Sequence, residues 1–393
     1  MNTQAPILLA LHRIGPYHHA RFNAAARHLQ QPLIVLETRP DSQEYPWEFQ
    51  PDQSLYTALQ LAGALEAEDD LPSPELMNQL NILLAKYQPA LLVTVGWADR
   101  AYLILLWLGQ KHGIPVIVIS DSRASDSFRS PLIEFLKRNL LRGYSAALAA
   151  GFESKKYLAS LGLTDNSIFQ PWDVVDNQFF ERIAGKVSFL GSESKSFLCV
   201  GRFIPEKNHE VLLSAYRHYQ LNGGKRSLHL VGHGPLKHEI ERLIDDLPMP
   251  ERVLVSPFQQ INQLANYYAE AHAVILPSRK DTWGLVVNEA MAAGVPVIVS
   301  DACGCNKDLI SHGETGWSFS YNNSSELATC LQQVDTQGPH ERMKIIKSAK
   351  DRVSLFGVED FAVGLKKACS YANSNQISSK RSKILAYLLQ KMS

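Results

Sequence analysis

The stretch "AVILPSRKDTWGLVVNEAMAAGVPVIVS", residues 273–300, contains a complete strand–helix–strand pattern. An apolar run of β-forming residues comes first, followed by a polar loop, by Gly284, and by a helix that begins near Leu285. A second apolar run follows the helix. Short strands that are apolar at every position are typical of a parallel sheet that is covered by helices on both faces. The stretch therefore predicts a parallel α/β sheet.

The same alternation occurs along the chain in two blocks, which are separated by the polar stretch "GKVSFLGSESKS". A polar segment that contains Gly and Ser is typical of a linker. We predict a Rossmann-like N-terminal domain over residues 1–184, a linker over 185–196, a Rossmann-like C-terminal domain over 197–360, and closing helices over 361–393 that cross back to the first domain. Ligands bind doubly wound sheets at the carboxyl ends of the strands, so two such sheets facing each other predict a ligand cleft.

Residues 40–74 differ from both blocks because they are rich in Pro, Asp and Glu. This composition predicts irregular structure with one or two helices.

The composition excludes several classes of protein. Lys and Arg total 39, as do Asp and Glu, so the charge balance gives no reason to expect a nucleic-acid partner. The five cysteines form no CxxC pair, which favours a reducing compartment and argues against a zinc site. The N-terminus lacks the basic start of a signal peptide, and no apolar stretch approaches the roughly 20 residues of a membrane span. We therefore expect a cytoplasmic protein.

Two segments combine apolar and basic residues at helical spacing. They are "SPLIEFLKRNLLRGY", residues 130–144, and "KRSKILAYLLQKM", residues 380–392. Such helices lie on an anionic membrane surface or pack on a neighbouring domain, and the sequence leaves both alternatives open.

Cationic and glycine-containing loops follow two of the predicted strands. In "VGRFIPEKN" a strand ends at Gly201, and Arg202 and Lys207 follow it; a guanidinium and an ammonium suit the oxygens of a diphosphate. In "GPYHHARF" Gly15 precedes a helix, whose N-terminus is a potential anion site.

The two histidines of "GPYHHARF", His18 and His19, are adjacent on this helix and point in different directions. We therefore do not expect them to bind a metal together. One is expected to stabilise the start of the helix, and the other to contact a substrate.

Two carboxylates flank the helix start in the opening stretch. Asp281 lies in the loop, and Glu289 lies about one turn into the helix. The free N–H groups of a helix start provide positive potential between them. Carboxylates beside amide donors suit a ligand with many hydroxyls and a negative group, such as a sugar joined to a nucleoside diphosphate. The simpler alternative is a helix-start Asp and a solvated Glu.

The ordered stretches "FLCVGRFIPEKNHEVLL", "LVGHGPLKHEIERL", "VILPSRKDTWGLVVNEAMAAGVPVIVSD" and "GETGWSF" resemble the family 4 retaining glycosyltransferases, which have the two-domain GT-B fold. The resemblance implies that Glu289 binds the ribose hydroxyls of the donor. Asp281 occupies the place of a family Glu that contacts the hydroxyls of the donor sugar, and it is one methylene shorter. Arg202, Lys207 and Gly15 match groups that contact the diphosphate.

The resemblance also implies a wider donor-binding segment, which includes Gly201, Trp283, Gly284 and Leu285. A histidine that the family often carries near the anomeric carbon has no clear counterpart. The equivalent place reads "VISDSRASD" and offers Asp121 or Ser120, neither of which we expect to be a nucleophile. We assign Asp121 to the acceptor side together with His18 and His19.

The implied function is hexosyl transfer with retention of configuration, from a UDP- or GDP-sugar rather than an ADP-sugar, to a sugar, a lipid-linked acceptor or another glycan. No metal or other cofactor is expected, because the protein supplies the cations. The alternatives are a non-catalytic nucleotide-sugar-binding protein and a nucleotide-sugar epimerase on the same fold. We expect Glu289→Ala to abolish turnover and leave the fold intact, on the view that the carboxylate faces a ligand rather than a core.

Overall fold

The chain folds into two units, each built around a parallel sheet. The first unit comprises Met1–Val174 and Val358–Ser393, and the second comprises Val175–Gly357. The computed structural model describes residues 4–39, 47–49, 53–61, 73–127, 129–187 and 195–392. Two doubly wound α/β domains were predicted, and this is confirmed.

The first unit contains seven parallel strands in the order β3-β2-β1-β4-β5-β6-β7. Its elements in chain order are β1 (Ile7–Leu11), α1 (Pro16–His28), β2 (Leu33–Glu37), β3 (Thr57–Gln60), α2 (Ser73–Tyr87), β4 (Leu91–Val95), α3 (Arg100–His112), β5 (Val116–Ser120), α4 (Pro131–Leu141), β6 (Ala146–Ala149), α5 (Phe152–Ser160), β7 (Ile168–Phe169), and, after the second unit, α14 (Val358–Ser374) and α15 (Lys380–Met392).

The second unit contains six parallel strands in the order β10-β9-β8-β11-β12-β13. Its elements in chain order are α6 (Asn177–Val187), β8 (Ser196–Val200), α7 (His209–Leu221), β9 (Leu228–Val231), α8 (Lys237–Asp245), β10 (Val253–Ser256), α9 (Ile261–Glu270), β11 (Ala271–Leu276), α10 (Leu285–Ala292), β12 (Val297–Ser300), α11 (Asn306–Leu309), β13 (Trp317–Phe319), α12 (Ser324–Thr336) and α13 (Pro339–Val353).

The order of the strands locates the ligand-binding edge of each sheet. In the first unit the chain reverses its direction of winding between β1 and β4, and in the second unit between β8 and β11. Loops that leave the carboxyl ends of two such strands diverge and leave a crevice, which is where ligands bind in open α/β sheets. A ligand is therefore expected to contact the loops after β1, β4, β8 and β11.

The division of the chain differs from the predicted domain ends. Helix α6 packs against α9 and α10, so it belongs to the second unit although the N-terminal domain was expected to end at residue 184. Part of the expected linker, residues 185–187, lies in α6; residues 188–194 lie outside the described residues.

The last two helices belong to the first unit. Helix α14 packs on α1, where Arg27 and His28 each contact a carboxylate oxygen of Glu359 at 2.6 Å. Helix α15 packs on α3 and α4.

Strand β3 was not predicted. Residues 40–74 were expected to be irregular with one or two helices, but Thr57–Gln60 pairs in parallel with β2 at the edge of the sheet. Its residues are largely exposed, so the apolar run that identifies a buried strand is missing. Residues 40–46, 50–52 and 62–72 lie outside the described residues.

Candidate functional site

The loops after β8 and β11 meet at the winding reversal of the second unit. Lys207 Nζ donates to Asp281 Oδ2 at 2.6 Å, and both side chains are largely buried. The backbone N–H of Arg279 donates to the carbonyl oxygen of Glu206 at 2.9 Å, which ties the two loops together. Ser278 Oγ also donates to Asp281 Oδ2, at 3.3 Å. The structure therefore brings together a predicted cation and a predicted carboxylate from residues 74 positions apart.

Gly201 and Arg202 continue directly from the end of β8, and both are half-buried. The N–H of Gly201 donates to the carbonyl oxygen of Val231 at the end of β9. A methyl group at Gly232 would lie 1.9 Å from the carbonyl oxygen of Gly201, so only glycine allows these two strand ends to approach so closely.

Burial controls the ionisation of two groups around Lys207. Burial, and next the charge of Lys207, lowers the pKa of His209 to about 4, so its imidazole is neutral at physiological pH. Burial raises the pKa of Cys199 to about 12, although Lys207 acts in the opposite direction. Neither of these two groups is charged at physiological pH, whereas Asp281 forms an ion pair with Lys207.

The start of α10 follows this ion pair. Gly284 has φ +107°, a left-handed conformation that favours glycine, and a methyl group there would lie 2.6 Å from Leu276 Cδ2. Leu285 is the first residue of the helix and is half-exposed. Trp283 is 3% exposed, and its indole N–H donates to Asn288 at 2.9 Å. Trp283 is therefore a core residue that joins the loop to α10.

Glu289 lies deeper than expected. Its side chain is 1% exposed, and the hydroxyl of Tyr268 on α9 donates to Oε2. The carboxylate therefore contacts the core through α9, which the sequence did not predict, and its expected role in binding a ligand stays a prediction. The sequence contains no local signal for this contact, because Tyr268 lies 21 residues earlier on a different helix.

The loop that carries Asp281 is held by an unusually close backbone approach, which gives a stability prediction. The N–H of Gly304 donates to the Asp281 carbonyl oxygen at 3.0 Å, and a methyl group at Gly304 would lie 1.9 Å from the Thr282 carbonyl oxygen. We expect Gly304→Ala to displace this loop and to lower the melting temperature by about 5 °C, as overpacking of about 2 kcal/mol would. Gly185→Ala is the control, because its added methyl group meets nothing within 4 Å. Equal melting temperatures for the two variants would contradict the prediction.

In the first unit, Gly15 precedes α1, but its groups are already engaged. Its backbone N–H donates to His18 Nδ1 at 3.2 Å, and a methyl group at Gly15 would lie 2.3 Å from the ring of Trp47. The His18 ring packs against both Phe22 and Trp172, which also contact each other. Burial and the charge of Arg21 lower the pKa of His18 to about 3. His18 therefore acts as a neutral acceptor that stabilises the helix start.

The ring nitrogens of His19 are also engaged. Nδ1 lies 3.0 Å from the Tyr56 hydroxyl oxygen, and Nε2 lies 2.9 Å from Asn23 Nδ2. His19 is therefore part of a hydrogen-bond network between α1 and the segment before β3.

Asp121 lines a different feature, a pocket of about 230 Å³ at the carboxyl ends of β4 and β5. We call this the polar pocket. Aromatic, polar and small apolar residues form its wall: His12, Val95, Gly96, Trp97, Ala98, Asp99, Tyr102, Ile119, Ser120, Asp121, Ser122 and Trp172. Aromatic rings beside carboxylates are a surface on which hydroxylated ligands bind well.

Asp99 is a second carboxylate of the polar pocket, and no role was predicted for it. Its carboxylate lies 3.1 Å from His12 Nε2 and 2.9 Å from Arg39, and it caps α3 through the N–H of Ala101. Burial raises the pKa of Asp99, but hydrogen bonding from His12 and the charge of Arg39 outweigh it, so the pKa lies below its usual value. One available signal was that Asp99 follows a buried strand and precedes a helix.

Comparisons with known proteins agree with this architecture. Sucrose-phosphate synthase from Thermosynechococcus elongatus superposes with a TM-score of 0.72 at 20% identity, over 93% of this chain and 98% of that chain. Anabaena HepE in complex with UDP superposes with a TM-score of 0.72 at 18% identity, over 93% and 99%. The chain therefore has the GT-B fold of glycosyltransferases.

Sequence comparison finds a family similarity within the second unit. Residues 183–352 match the model described as "Glycosyl transferases group 1". The D-inositol 3-phosphate glycosyltransferase of Frankia alni is 29% identical over 195 residues, which are 47% of this chain and 47% of that protein. The alignments with the first curated relatives span less than half of the length of each.

Proposed function

We propose that this protein is a family 4 glycosyltransferase that moves a hexosyl group from a nucleotide-diphosphate donor to a hydroxyl acceptor with retention of anomeric configuration. The observation that carries the proposal is the Lys207–Asp281 pair at the winding reversal of a segment that matches the group 1 glycosyltransferase model, with Arg202 on the adjoining strand end. The donor binds the second unit, and the acceptor, a sugar, a lipid-linked saccharide or another glycan, binds the polar pocket of the first unit.

The mechanism rests on stabilising the leaving group. The acceptor oxygen bonds to the anomeric carbon on the face from which the diphosphate departs, the bond from carbon to phosphate oxygen breaks, and a phosphate oxygen takes the acceptor proton. Arg202 and Lys207 neutralise the charge that develops on the diphosphate. An ammonium has three N–H donors, so Lys207 binds Asp281 and a phosphate oxygen together. These cations do the work that a divalent metal does in other transferases, so the reaction needs none.

The nucleotide is expected to be UDP. The HepE structures were solved with UDP, with UDP and glucose, and with UDP-glucose, and they share the fold of this chain. GDP remains the alternative from the sequence, and the test below distinguishes them.

The test is a hydrolysis and thermal-shift panel over UDP-, GDP- and ADP-sugars without added metal. We expect one nucleotide to raise the melting temperature and its sugar to be released slowly to water. Stabilisation without release, even with candidate acceptors, would favour a nucleotide-sugar-binding protein. A changed sugar with the nucleotide still attached would favour an epimerase.

The Asp281→Asn variant is expected to affect the binding of the diphosphate and the orientation of the sugar in opposite directions. The substitution keeps the size of the side chain and removes a negative charge beside Lys207. We therefore expect UDP to bind roughly threefold to tenfold more tightly, because the carboxylate no longer repels the diphosphate. We expect sugar transfer to fall at least about tenfold, because a carboxylate that orients the sugar hydroxyls is lost. Calorimetry and a transfer assay measure the two effects, and weaker UDP binding would contradict the proposed geometry.

A further inference from the structure

A second pocket of the first unit shares part of its wall with the polar pocket and is more apolar, because none of the described residues that line it carries a carboxylate. It measures about 350 Å³, and we call it the apolar pocket. Its wall is mostly hydrocarbon and is formed by Trp97, Ala98, Leu103, Ile133, Leu136, Lys137, Leu140 and Leu389. Trp97 and Ala98 line both pockets. A ligand that fills both pockets therefore has a hydroxylated head joined to a hydrocarbon chain.

Helix α4 exposes large apolar side chains next to the apolar pocket. Leu132 is 67% exposed, Ile133 51% and Phe135 61%. Helix α15, which packs on α4, adds exposed Ile384 and Leu388. Exposed apolar groups that cluster on adjacent helices, rather than standing singly, mark an interaction surface. We call this surface the α4–α15 face.

The charges of the α4–α15 face decide which partner it fits. Seven basic residues lie on or at the ends of the two helices: Lys137, Arg138, Arg142, Lys380, Arg381, Lys383 and Lys391. Glu134 is the one acidic residue in the sequence of these two helices, and it is held by the Tyr157 hydroxyl and Lys137. Apolar groups and cations on the same pair of helices are complementary to a bilayer with anionic headgroups, because hydrocarbon meets hydrocarbon while cations meet phosphates.

The two pockets and the α4–α15 face lie in the same unit, and each would bind a different part of a membrane-bound acceptor. We propose that the α4–α15 face docks on an anionic lipid bilayer, and that the acceptor is a lipid-linked saccharide whose chain lies in the apolar pocket and whose sugar lies in the polar pocket. This proposal rests on the proposed function, because only a glycosyltransferase has an acceptor. Its two binding events, however, are measured without any donor or transfer.

The first test measures docking with the full chain. Vesicles of phosphatidylcholine, with and without phosphatidylglycerol, are sedimented with the protein. We expect binding to the anionic vesicles at least about tenfold stronger than to the neutral ones, and weakened by about 0.5 M salt. Phe135→Glu should reduce that binding at least about tenfold by placing a charge in the hydrocarbon layer. Leu221→Glu, at a residue 64% exposed on α7 of the second unit, is the matched control and should bind as the wild type does.

The second test examines the apolar pocket. Octyl glucoside below its micelle concentration and methyl glucoside differ only in the alkyl chain. We expect calorimetry to show at least about tenfold tighter binding of octyl glucoside. Leu136→Trp should remove that preference by filling the pocket, while binding to anionic vesicles persists.

Each outcome supports or overturns the proposal. No binding to anionic vesicles, equal loss in Phe135→Glu and Leu221→Glu, or equal affinity for the two glucosides would overturn it. Melting temperatures of all variants show whether a loss reflects unfolding. The protein could bind vesicles and octyl glucoside but hydrolyse no nucleotide-sugar. That result would contradict the proposed function and still support the docking surface. A face that binds another protein instead of lipid would appear as a failure of vesicle binding.

Discussion

Lys207→Ala is expected to lower the transfer rate by about 100-fold to 1,000-fold, the effect of removing one pre-positioned donor to a developing negative charge. We also expect UDP to bind about tenfold more weakly, because a charge-assisted hydrogen bond is lost. Calorimetry measures the affinity, and a transfer assay measures the rate. The physical reason is the position of Lys207 on the loop after β8, where its ammonium contacts Asp281.

Two control variants separate the role of Lys207 from general effects of charge. Lys280→Ala removes an exposed cation from the loop after β11 and should change the rate less than about threefold, because an exposed charge is well screened. Lys207→Arg keeps the charge and should restore part of the affinity. Unchanged UDP affinity in Lys207→Ala would remove Lys207 from the site. Parallel melting curves are needed, because the substitution also leaves the Asp281 carboxylate without this partner.

Glu289→Gln is expected to lower the transfer rate about 100-fold while changing the melting temperature little. Gln keeps an oxygen that accepts from the Tyr268 hydroxyl but loses the charge that, as we propose, binds the ribose hydroxyls of the donor. Glu289→Ala should lose both the rate and about 1–3 kcal/mol of stability, because it leaves a buried hydroxyl without its acceptor. This result differs from the expectation based on the sequence, in which the fold would be unaffected.

Tyr268→Phe provides the control for Glu289. It removes the same hydrogen bond from the other side and leaves the carboxylate in place, so most of the activity should remain. If Tyr268→Phe and Glu289→Gln lose activity equally, Glu289 serves the packing of α9 on α10 and the ribose assignment is wrong. The comparison therefore separates a ligand-binding role from a structural one.

The fold was predictable because buried parallel strands carry their signal in consecutive residues. Strand β11, for example, is almost wholly apolar and buried. Strand β3 was missed because it lies at an edge and most of its residues face water. The ends of the domains were misplaced because α6 shows the same helical pattern whichever sheet it covers, and only its contacts with α9 and α10 assign it.

The candidate site was predictable only where the order of the strands brings loops together. Lys207 and Asp281 each follow a strand next to the winding reversal, so their residue types and positions already suggested one site. The partners of Asp99 and Glu289 could not be predicted. His12 and Asp99 are 87 residues apart, and Tyr268 looks like any core aromatic until α9 is placed beside α10. Such contacts depend on the packing of distant elements, which no local pattern encodes.

The interrupted first unit also has a consequence for synthesis in the cell. The ribosome delivers the chain from its N-terminus, so Val175–Gly357 has emerged in full before α14 and α15 exist. Helix α14 buries Phe361, Leu365 and Ala368 against the rest of the first unit. The first unit therefore cannot complete its core until α14 has been synthesised. A nonsense mutation directly after Gly357 would therefore damage the unit made first and spare the unit made second. In the nascent chain, the surface of α1 that α14 later covers is exposed, and we expect chaperones to bind there.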